Sequence, residues 1–407
     1  MGRAACATMR AQRLLLTGGA REEPVLVTHT RRKSWRWAQL VVPLIAVAVG
    51  LVWLEPSPTS AANCAPPRPH ASGDFAKTIV SGGETREYLL HIPPTYVGNE
   101  QMPLVFNWHG LGVTASDQQQ YSELPAKADA AGFIVVAPQR PVSQAQHNFT
   151  KSVSGTDDVA FTSDMLDELV AELCIDGARV YSTGMSNGAQ MSIRLACNLS
   201  ERIAAVAPVA GAYYPPFAVG FQEPGCDSAR PAALIAFHGT ADDAFPFTGG
   251  QGIFGLIYRS FEDEIMPDWA ANNGCTTGPI DTPAAPGIRL RSYGACDNGA
   301  TVQLYVVEDA DGAGAGTVGG GHTWPGAIDV PSDNTTQEIS ANDLMWDFFQ
   351  AHALAGVGGV AKLPEVAGVP LEATGSSGPG AGVLAVIATG TVAMASAAWY
   401  ARRRRLG

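Results

Sequence analysis

The sequence is poor in positive charge over most of its length. Twelve of its 26 lysines and arginines lie in residues 1–36 and 402–405, so 14 basic residues face 36 acidic ones in residues 37–401. A nucleic-acid-binding surface needs clustered lysine and arginine side chains that neutralise phosphates. The acidic middle of the chain is therefore predicted to bind no nucleic acid, and its charge favours solubility.

The sequence also lacks closely spaced cysteines and internal repeats. Its seven cysteines include no CxxC pair, which argues against a structural zinc site. Without Cys6, six cysteines remain, an even number that suits disulfides in an oxidising compartment. Of the possible pairs, Cys275 with Cys296 is favoured because a short loop would join them. The other pairings stay open at this point.

An apolar run near the start predicts export. Trp37 to Leu54 is 18 residues long with only Gln39 polar, and basic residues precede it. Residues 1–61 are therefore predicted to be a leader that contains either a cleaved signal peptide, cut near Ala61 and Ala62, or an uncleaved signal anchor.

A second apolar run, residues 381–401, predicts a transmembrane segment at the other end. As a helix it would be about 31 Å long, and the basic tail 402–407 follows it. Ahead of it, LEATG (Leu371 to Gly375) resembles part of a sortase sorting signal, with Glu372 where proline or alanine is usual. Residues 356–380 are rich in glycine, proline and serine and are therefore predicted to be a linker. The protein is expected to be anchored to membrane or cell wall, with sortase as a partner.

Between these ends, residues 62–355 are predicted to form one catalytic domain of the α/β class. Short apolar runs alternate with segments of helical spacing, which favours a mostly parallel sheet with helices on both faces. The predicted strands are EYLLHIP, PLVFNWHG, GFIVVAPQ, ARVYSTGMS, IAAVAPVAG, ALIAFHGT and TVQLYVVED. The predicted helices are FTSDMLDELVAELC, NGAQMSIRLACNLS, SFEDEIMPDWAANNG and EISANDLMWDFFQAHALA.

One strand leads into GMSNG, Gly184 to Gly188, and then into a helix. G-x-S-x-G between a strand and a helix predicts a sharp turn that exposes a serine hydroxyl at the edge of the sheet. The flanking glycines leave room for strand and helix to approach each other. Ser186 is therefore the candidate nucleophile.

A serine nucleophile needs a base, and the base needs an acid. In this arrangement the chain order is serine, acid, histidine. After the strand ALIAF, HGTADDAFP offers Asp242, with Asp243 as the second choice. After the strand TVQLYVVED, the loop GGGHTWPG presents His322 on a glycine-rich backbone, which predicts that His322 is the base. His109 and His238, which each precede a glycine at a strand end, are expected to be structural.

The developing oxyanion needs hydrogen-bond donors. The residue after the nucleophile, Asn187, is expected to donate its backbone N–H. The loop after the strand PLVFNW is expected to supply the second backbone donor, with Leu111 preferred over Gly112.

Four segments together carry a family resemblance: GMSNGAQM, HGTADDAFP, WAANNGC and GGGHTWPG. They resemble the extracellular poly(3-hydroxybutyrate) depolymerase and feruloyl/acetylxylan esterase group over roughly residues 64–355. The resemblance implies an α/β-hydrolase fold, a triad at Ser186, Asp242 and His322, and no metal or organic cofactor. Phe245 departs from the pattern, because an aliphatic residue usually stands before the proline.

The sequence thus predicts an extracellular serine esterase that acts on polyester or on feruloyl and acetyl esters of polysaccharides. Trp324 and Trp108 are expected to form substrate-contacting walls, with core packing as the alternative for each. Two other functions remain open: a surface peptidase or acyltransferase with the same triad, and a non-catalytic surface binding protein on a hydrolase fold.

Overall fold

The computed structural model describes the chain in eight stretches: residues 63–141, 147, 157–211, 226, 228–252, 255–308, 320–328 and 335–354. By its internal contacts the chain divides into Met1–Pro58 and Thr59–Gly407, and every described residue belongs to the second unit. The predicted leader, linker, C-terminal apolar segment and basic tail lie outside the described residues. Within them, no helix combines the length and apolarity that a membrane crossing requires.

The described residues form twelve strands. In chain order they are β1 Gly73–Ser81, β2 Glu84–Ile92, β3 Met102–Trp108, β4 Ile134–Gln139, β5 Ile175–Met185, β6 Ala205–Val209, β7 Ala233–Gly239, β8 Gly250–Gln251, β9 Ile257–Tyr258, β10 Thr277–Ala285, β11 Ile288–Gly294 and β12 Val302–Val307.

Ten of these strands build one sheet in the order β1-β2-β4-β3-β5-β6-β7-β12-β11-β10. The middle strands, from β4 to β12 in that order, pair in parallel. At both edges the pairing is antiparallel, through β1 and β2 on one side and β11 and β10 on the other. The predicted mostly parallel sheet and α/β-hydrolase fold are thereby confirmed.

In the described part of the chain, six α-helices accompany the sheet: α1 Ala115–Ser122, α2 Leu124–Ala131, α3 Asp158–Glu172, α4 Asn187–Asn198, α5 Met266–Asn272 and α6 Ala341–Gln350. Helices α3, α4 and α5 bury their apolar residues on one face of the sheet. Helices α2 and α6 do so on the other. Successive strand side chains point to opposite faces, so an uninterrupted apolar strand supplies both cores. In β3, Leu104 and Phe106 join the first core and Val105 joins the second.

Several predicted elements differ from the observed ones. Helix α3 begins earlier than expected, because Asp157 caps it by accepting the N–H groups of Val159 and Ala160. Ser163 and Asp164, whose side chains could also cap a helix, lie inside α3 instead. Strand β1, helices α1 and α2, and the β10–β11 hairpin were not predicted. Strand β10 is exposed along almost its whole length, so its sequence shows no buried apolar alternation.

Three disulfides join the six cysteines, and the favoured pair is confirmed. Cys275 binds Cys296 across 21 positions. The pairings that the sequence left open are Cys64 with Cys174 and Cys197 with Cys226. The first of these spans 110 positions and ties the start of the described chain to the end of α3.

Candidate active site

Ser186 occupies the sharp turn between β5 and α4. Its φ of 58° and ψ of −118° lie outside the regions that L-residues ordinarily occupy. Backbone hydrogen bonds hold it there: its N–H donates to Val209 on β6, and its C=O accepts from Gln190 on α4. A strained serine fixed between strand and helix is the geometry of an exposed nucleophile.

Two glycines make this turn possible through close packing. A Cβ on Gly184 would lie 2.6 Å from the carbonyl oxygen of Trp108, and one on Gly188 would overlap the same carbonyl. Strand β3 therefore passes directly against both sides of the turn. The glycines of the G-x-S-x-G motif are required by this contact and not only by the turn.

Asp242 lies in the loop after β7, where it is 4% exposed. Its Oδ1 accepts the N–H groups of Ala244 at 3.0 Å and Phe245 at 2.9 Å. Its Oδ2 lies 2.8 Å from His322 Nδ1. Burial raises the pKa of the Asp242 carboxyl, but the facing histidines and the Phe245 N–H outweigh burial and leave the pKa below its ordinary value.

His322 reaches this carboxylate because two loops are joined at the end of β7. Ala241 donates its N–H to the carbonyl oxygen of Gly320 at 2.7 Å. A Cβ on Gly239 would overlap that same carbonyl, so glycine is required there. Carboxylate oxygens only accept, so Nδ1 of His322 donates and Nε2 is left to exchange a proton. The structure thus brings together the predicted acid and base.

The strand register places Ser186 and Asp242 at the same edge of the sheet. Met185, Val209 and Phe237 lie side by side across β5, β6 and β7. Ser186 directly follows the first of these residues, and Asp242 follows the last by five positions. Ligand sites in such sheets form at the carboxyl ends of the strands.

The two residues predicted to donate to the oxyanion, Asn187 and Leu111, lie in segments that adjoin Ser186. Asn187 is the first residue of α4, where backbone N–H groups have no partner within the helix and the helix dipole favours negative charge. Leu111 follows Gly110 in the turn after β3. A Cβ on Gly110 would lie 3.5 Å from the Ser186 Cβ, so this turn passes beside Ser186.

The side chain of Asn187 has a partner that the sequence did not indicate. Its Oδ1 accepts the backbone N–H of His147 at 2.8 Å. The His147 ring is buried edge-on to Trp108, with centroids 4.9 Å apart, and lies 4.2 Å from the ring of His109. Forty positions separate His147 from Asn187, so no local pattern would reveal the contact.

Neither predicted substrate wall is exposed. Trp108 is 0% and Trp324 is 1% exposed. Trp324 donates its Nε1–H to Asn342 at 3.1 Å and its backbone N–H to the Tyr121 hydroxyl at 3.0 Å. The expectation of substrate contact is corrected for both rings, because a ring enclosed in the core has no surface to offer. Trp324 instead secures the loop that carries His322.

Asp243, the alternative acid, is partly exposed. It borders a cavity of about 510 Å³ that Asp242 also borders, together with Phe247 and Gln251. Neither Ser186 nor His322 borders this cavity. The cavity does not separate the two aspartates, but the hydrogen bond does: the carboxylate that lies 2.8 Å from His322 Nδ1 is that of Asp242.

The other histidines at strand ends are buried and bonded to backbone. His109 Nδ1 lies 2.8 Å from the Gly110 carbonyl oxygen, and its Nε2 accepts the N–H of Arg140 at 3.3 Å. Burial lowers the pKa of His109 to about 4. His238 Nε2 lies 2.9 Å from the Phe245 carbonyl oxygen and 3.5 Å from Asp242 Oδ2. Its proximity to the acid was missed, although the four-residue spacing in HGTAD was visible.

Among the described residues no cluster of histidine, cysteine and carboxylate side chains has a geometry for holding a metal ion.

The chain is similar to several known esterases. Residues 86–218 match the family model described as Esterase PHB depolymerase. Feruloyl esterase B of Piromyces equi is 30% identical over 244 residues, which cover 58% of this chain and 42% of that protein. Feruloyl esterase D of Neurospora crassa is 29% identical over 256 residues, covering 59% and 78% of the two chains.

The match to the Piromyces protein therefore spans less than half of that relative's length. Among solved structures, an acetyl xylan esterase from Aspergillus awamori superposes with a TM-score of 0.46 at 16% identity, over 68% of this chain and 99% of that one. The family-model match covers the strand–turn–helix that carries Ser186. Residues 86–218 of the chain thus resemble the Esterase PHB depolymerase family, and 58% of the chain resembles a feruloyl esterase.

Proposed function

We propose that this protein is a serine carboxylic-ester hydrolase with Ser186 as nucleophile, His322 as general base and Asp242 as the acid that orients it. The observation that carries the proposal is the 2.8 Å hydrogen bond between His322 Nδ1 and the buried Asp242 carboxylate. It lies at the sheet edge where Ser186 is held at a φ of 58°. A strained serine and an oriented imidazole at one edge fit acyl transfer.

In the first half-reaction, His322 Nε2 takes the Ser186 hydroxyl proton while Oγ attacks the ester carbonyl carbon. The carbonyl electron pair moves onto oxygen, and the backbone N–H groups of Asn187 and Leu111 stabilise the resulting charge. The imidazolium then donates its proton to the leaving alkoxide. An alcohol departs and the acyl group stays on Ser186.

In the second half-reaction, His322 takes a proton from water, and the hydroxide attacks the acyl-enzyme. Collapse of the second tetrahedral intermediate returns the proton to Ser186 Oγ and releases the free acid. Throughout, the Asp242 carboxylate keeps Nδ1 protonated and stabilises the imidazolium. No step requires a metal ion or an organic cofactor.

For the substrate we propose feruloyl or acetyl esters of polysaccharides. The named relatives support this class, since two of them are feruloyl esterases. The matching family model favours a second candidate, a polyhydroxybutyrate-type polyester. Both candidates are carboxylic esters, and both would use the same nucleophile and oxyanion donors.

We further propose that the catalytic domain works outside the cytoplasm, attached to membrane or cell wall through residues 381–401. The three disulfides support exposure to an oxidising compartment. The attachment rests on the sequence pattern alone. Fractionation of cells that express the full chain, with and without residues 381–407, tests it: deletion should move activity from the cell surface to the medium.

A substrate panel tests the function. Full-length protein is assayed with methyl ferulate, acetylated xylan, polyhydroxybutyrate, a peptide amide and a p-nitrophenyl ester. We expect ester hydrolysis with release of free acid, and a loss of at least about a thousandfold in Ser186→Ala. Ser163→Ala, a serine within α3, serves as the control with unchanged turnover.

Three results would argue against the proposal. Peptide cleavage that exceeds ester hydrolysis would favour a peptidase, and acyl transfer to an added alcohol without hydrolysis would favour an acyltransferase. Failure of a fluorophosphonate probe to label Ser186 in folded wild-type protein would favour a non-catalytic binding protein.

A further inference from the structure

A second histidine lies beneath the acid of the proposed triad. His238 is the penultimate residue of β7 and is 1% exposed. Its ring stacks on Phe261 with centroids 4.4 Å apart and lies 5.8 Å from the ring of Phe247. Both phenylalanine rings pack against the imidazole and line its pocket.

The edge of this ring faces the loop that carries Asp242. His238 Nε2 lies 2.9 Å from the Phe245 carbonyl oxygen, which only accepts, so Nε2 carries the proton and donates it. The same N–H lies 3.5 Å from Asp242 Oδ2. That oxygen is also the one that accepts from His322.

Phe245 connects the two histidines to the acid. Its backbone N–H donates to Asp242 Oδ1 at 2.9 Å, while its carbonyl accepts from His238. Its ring lies 5.6 Å from the ring of His322. A change at His238 would therefore reach both the carboxylate and the base through one residue.

We propose that His238 is a positioning residue for Asp242: by holding the Phe245 carbonyl and facing the carboxylate, its N–H keeps Oδ2 aimed at His322. The inference rests on the proposed function, because it assigns a task within that site. His238 touches neither the nucleophile nor the base in this role, and it acts only through the orientation of the acid.

The electrostatics suit such a role. Burial lowers the pKa of His238, so the ring is neutral at pH 7 and offers a dipole without a competing charge. The titratable groups that face Asp242 are His322 from the loop after β12, His238 from β7 and Tyr258 from β9. Burial and the Asp242 charge raise the pKa of Tyr258, so it too stays neutral.

The test compares His238→Leu with His238→Gln in the full-length protein. Leucine removes the N–H, whereas the glutamine amide can still donate to Phe245. In His238→Leu we expect kcat to fall by about 10- to 100-fold with KM changed less than about threefold. A carboxylate that turns away stabilises the imidazolium less, which lowers the pKa of the base. The acidic limb of the pH profile of kcat/KM should therefore move to lower pH. His238→Gln should restore most of kcat and the original limb.

Phe261→Leu is the matched control, because it loosens the same pocket and leaves the N–H in place. It should lower Tm without moving the limb. The low-field NMR resonance of the His322 Nδ1 proton gives a readout independent of turnover, and it should broaden or shift in His238→Leu alone. If His238→Leu does not fold, His238→Gln is compared with Phe261→Leu instead. Both variants should then keep the acidic limb of the kcat/KM pH profile at its wild-type position.

An unmoved limb and a retained Nδ1 resonance in folded His238→Leu would overturn the positioning role, as would a limb displaced to higher pH. A displaced limb in folded Phe261→Leu would overturn it as well. Failure of the proposed function is distinguishable, since the wild-type protein itself would then show no ester hydrolysis.

Discussion

His322 and Asp242 are hydrogen-bonded at 2.8 Å although 80 positions separate them in the chain. Backbone contacts bring the two residues together: Ala241, next to Asp242, donates its N–H to the carbonyl oxygen of Gly320, near His322. The carboxylate that receives the imidazole N–H is buried and accepts two further N–H groups from its own loop. A carboxylate held in this way stays ionised and keeps a fixed orientation.

Replacing the buried aspartate should be far more damaging than replacing its neighbour. Asp242→Asn should reduce kcat by up to about 10⁴-fold, because the amide no longer enforces the tautomer of His322. Asp243→Asn should stay within about twofold of wild type, since Asp243 is partly exposed and the hydrogen bond from His322 goes to Asp242. Steady-state kinetics on a p-nitrophenyl ester measures both. The reverse ranking would transfer the acid role to Asp243.

Adding a methyl group at Gly188 should disrupt the sharp turn between β5 and α4 that holds Ser186. The Cβ of Gly188→Ala would overlap the Trp108 carbonyl, which is backbone and cannot rotate away. We expect a loss of roughly 1–3 kcal/mol in the free energy of unfolding, and a loss of activity as Ser186 shifts. Gly177→Ala in β5 meets no atom within 4 Å and should leave both quantities near wild type. Urea denaturation with parallel activity assays compares the variants, and equal stabilities would contradict the packing argument.

The disulfide between Cys64 and Cys174 should contribute more to stability than the one between Cys275 and Cys296. The loops closed span 110 and 21 positions, and loop entropy predicts about 5 and about 3 kcal/mol respectively. Replacing each pair by serines and measuring Tm under non-reducing conditions tests the order. Dithiothreitol should lower the Tm of wild type and of each variant that keeps a disulfide. A larger Tm loss for the short loop would show that strain or packing outweighs loop entropy here.

Stability should fall as the pH is lowered from about 6.5 to about 4. Burial lowers the pKa of His109 to about 4 in the folded protein, so within this window the unfolded chain binds more protons at this residue than the native state does. The stability that the neutral ring provides is fully present above the unfolded pKa and is lost as the pH falls toward the folded one.

Folded His109→Asn should therefore show a flatter dependence of the unfolding free energy on pH, by up to about 1.4 kcal/mol per pH unit within the window. His70→Asn, at a partly exposed histidine, serves as the control. Chemical denaturation at half-unit pH steps provides the measurement. Equal slopes in wild type and His109→Asn would show that His109 does not titrate as its burial predicts.

Local pattern was sufficient for much of the architecture. The seven predicted strands all occur, because each contains a short apolar run, and β3, β4, β6 and β7 are buried on both faces as a parallel sheet covered on both faces requires. The strand–turn–helix around Ser186 could also be predicted, because the sharp turn requires glycine at fixed positions before and after the serine. The pair Cys275–Cys296 could be anticipated because a short loop limits the alternatives.

The elements that were missed have no such local signature. Strand β10 is an exposed edge strand containing Pro279 and Pro283, and it is defined by its partner β11 and not by its own residues. Helices α1 and α2 are short and are bounded by left-handed residues at Glu123 and Gly132. Their apolar spacing is too brief to separate helix from loop.

What the sequence by itself determined is the order of chemical groups along a wound sheet: a serine at a glycine turn, then aspartates after one strand, then a histidine in a glycine loop. Only the tertiary structure decided which aspartate meets the imidazole, that Trp108 and Trp324 are enclosed in the core, and that His238 lies under the acid. The physical reason is distance along the chain. Turn and strand propensities act over a few residues, whereas burial and hydrogen-bond partners are set by segments tens of positions apart.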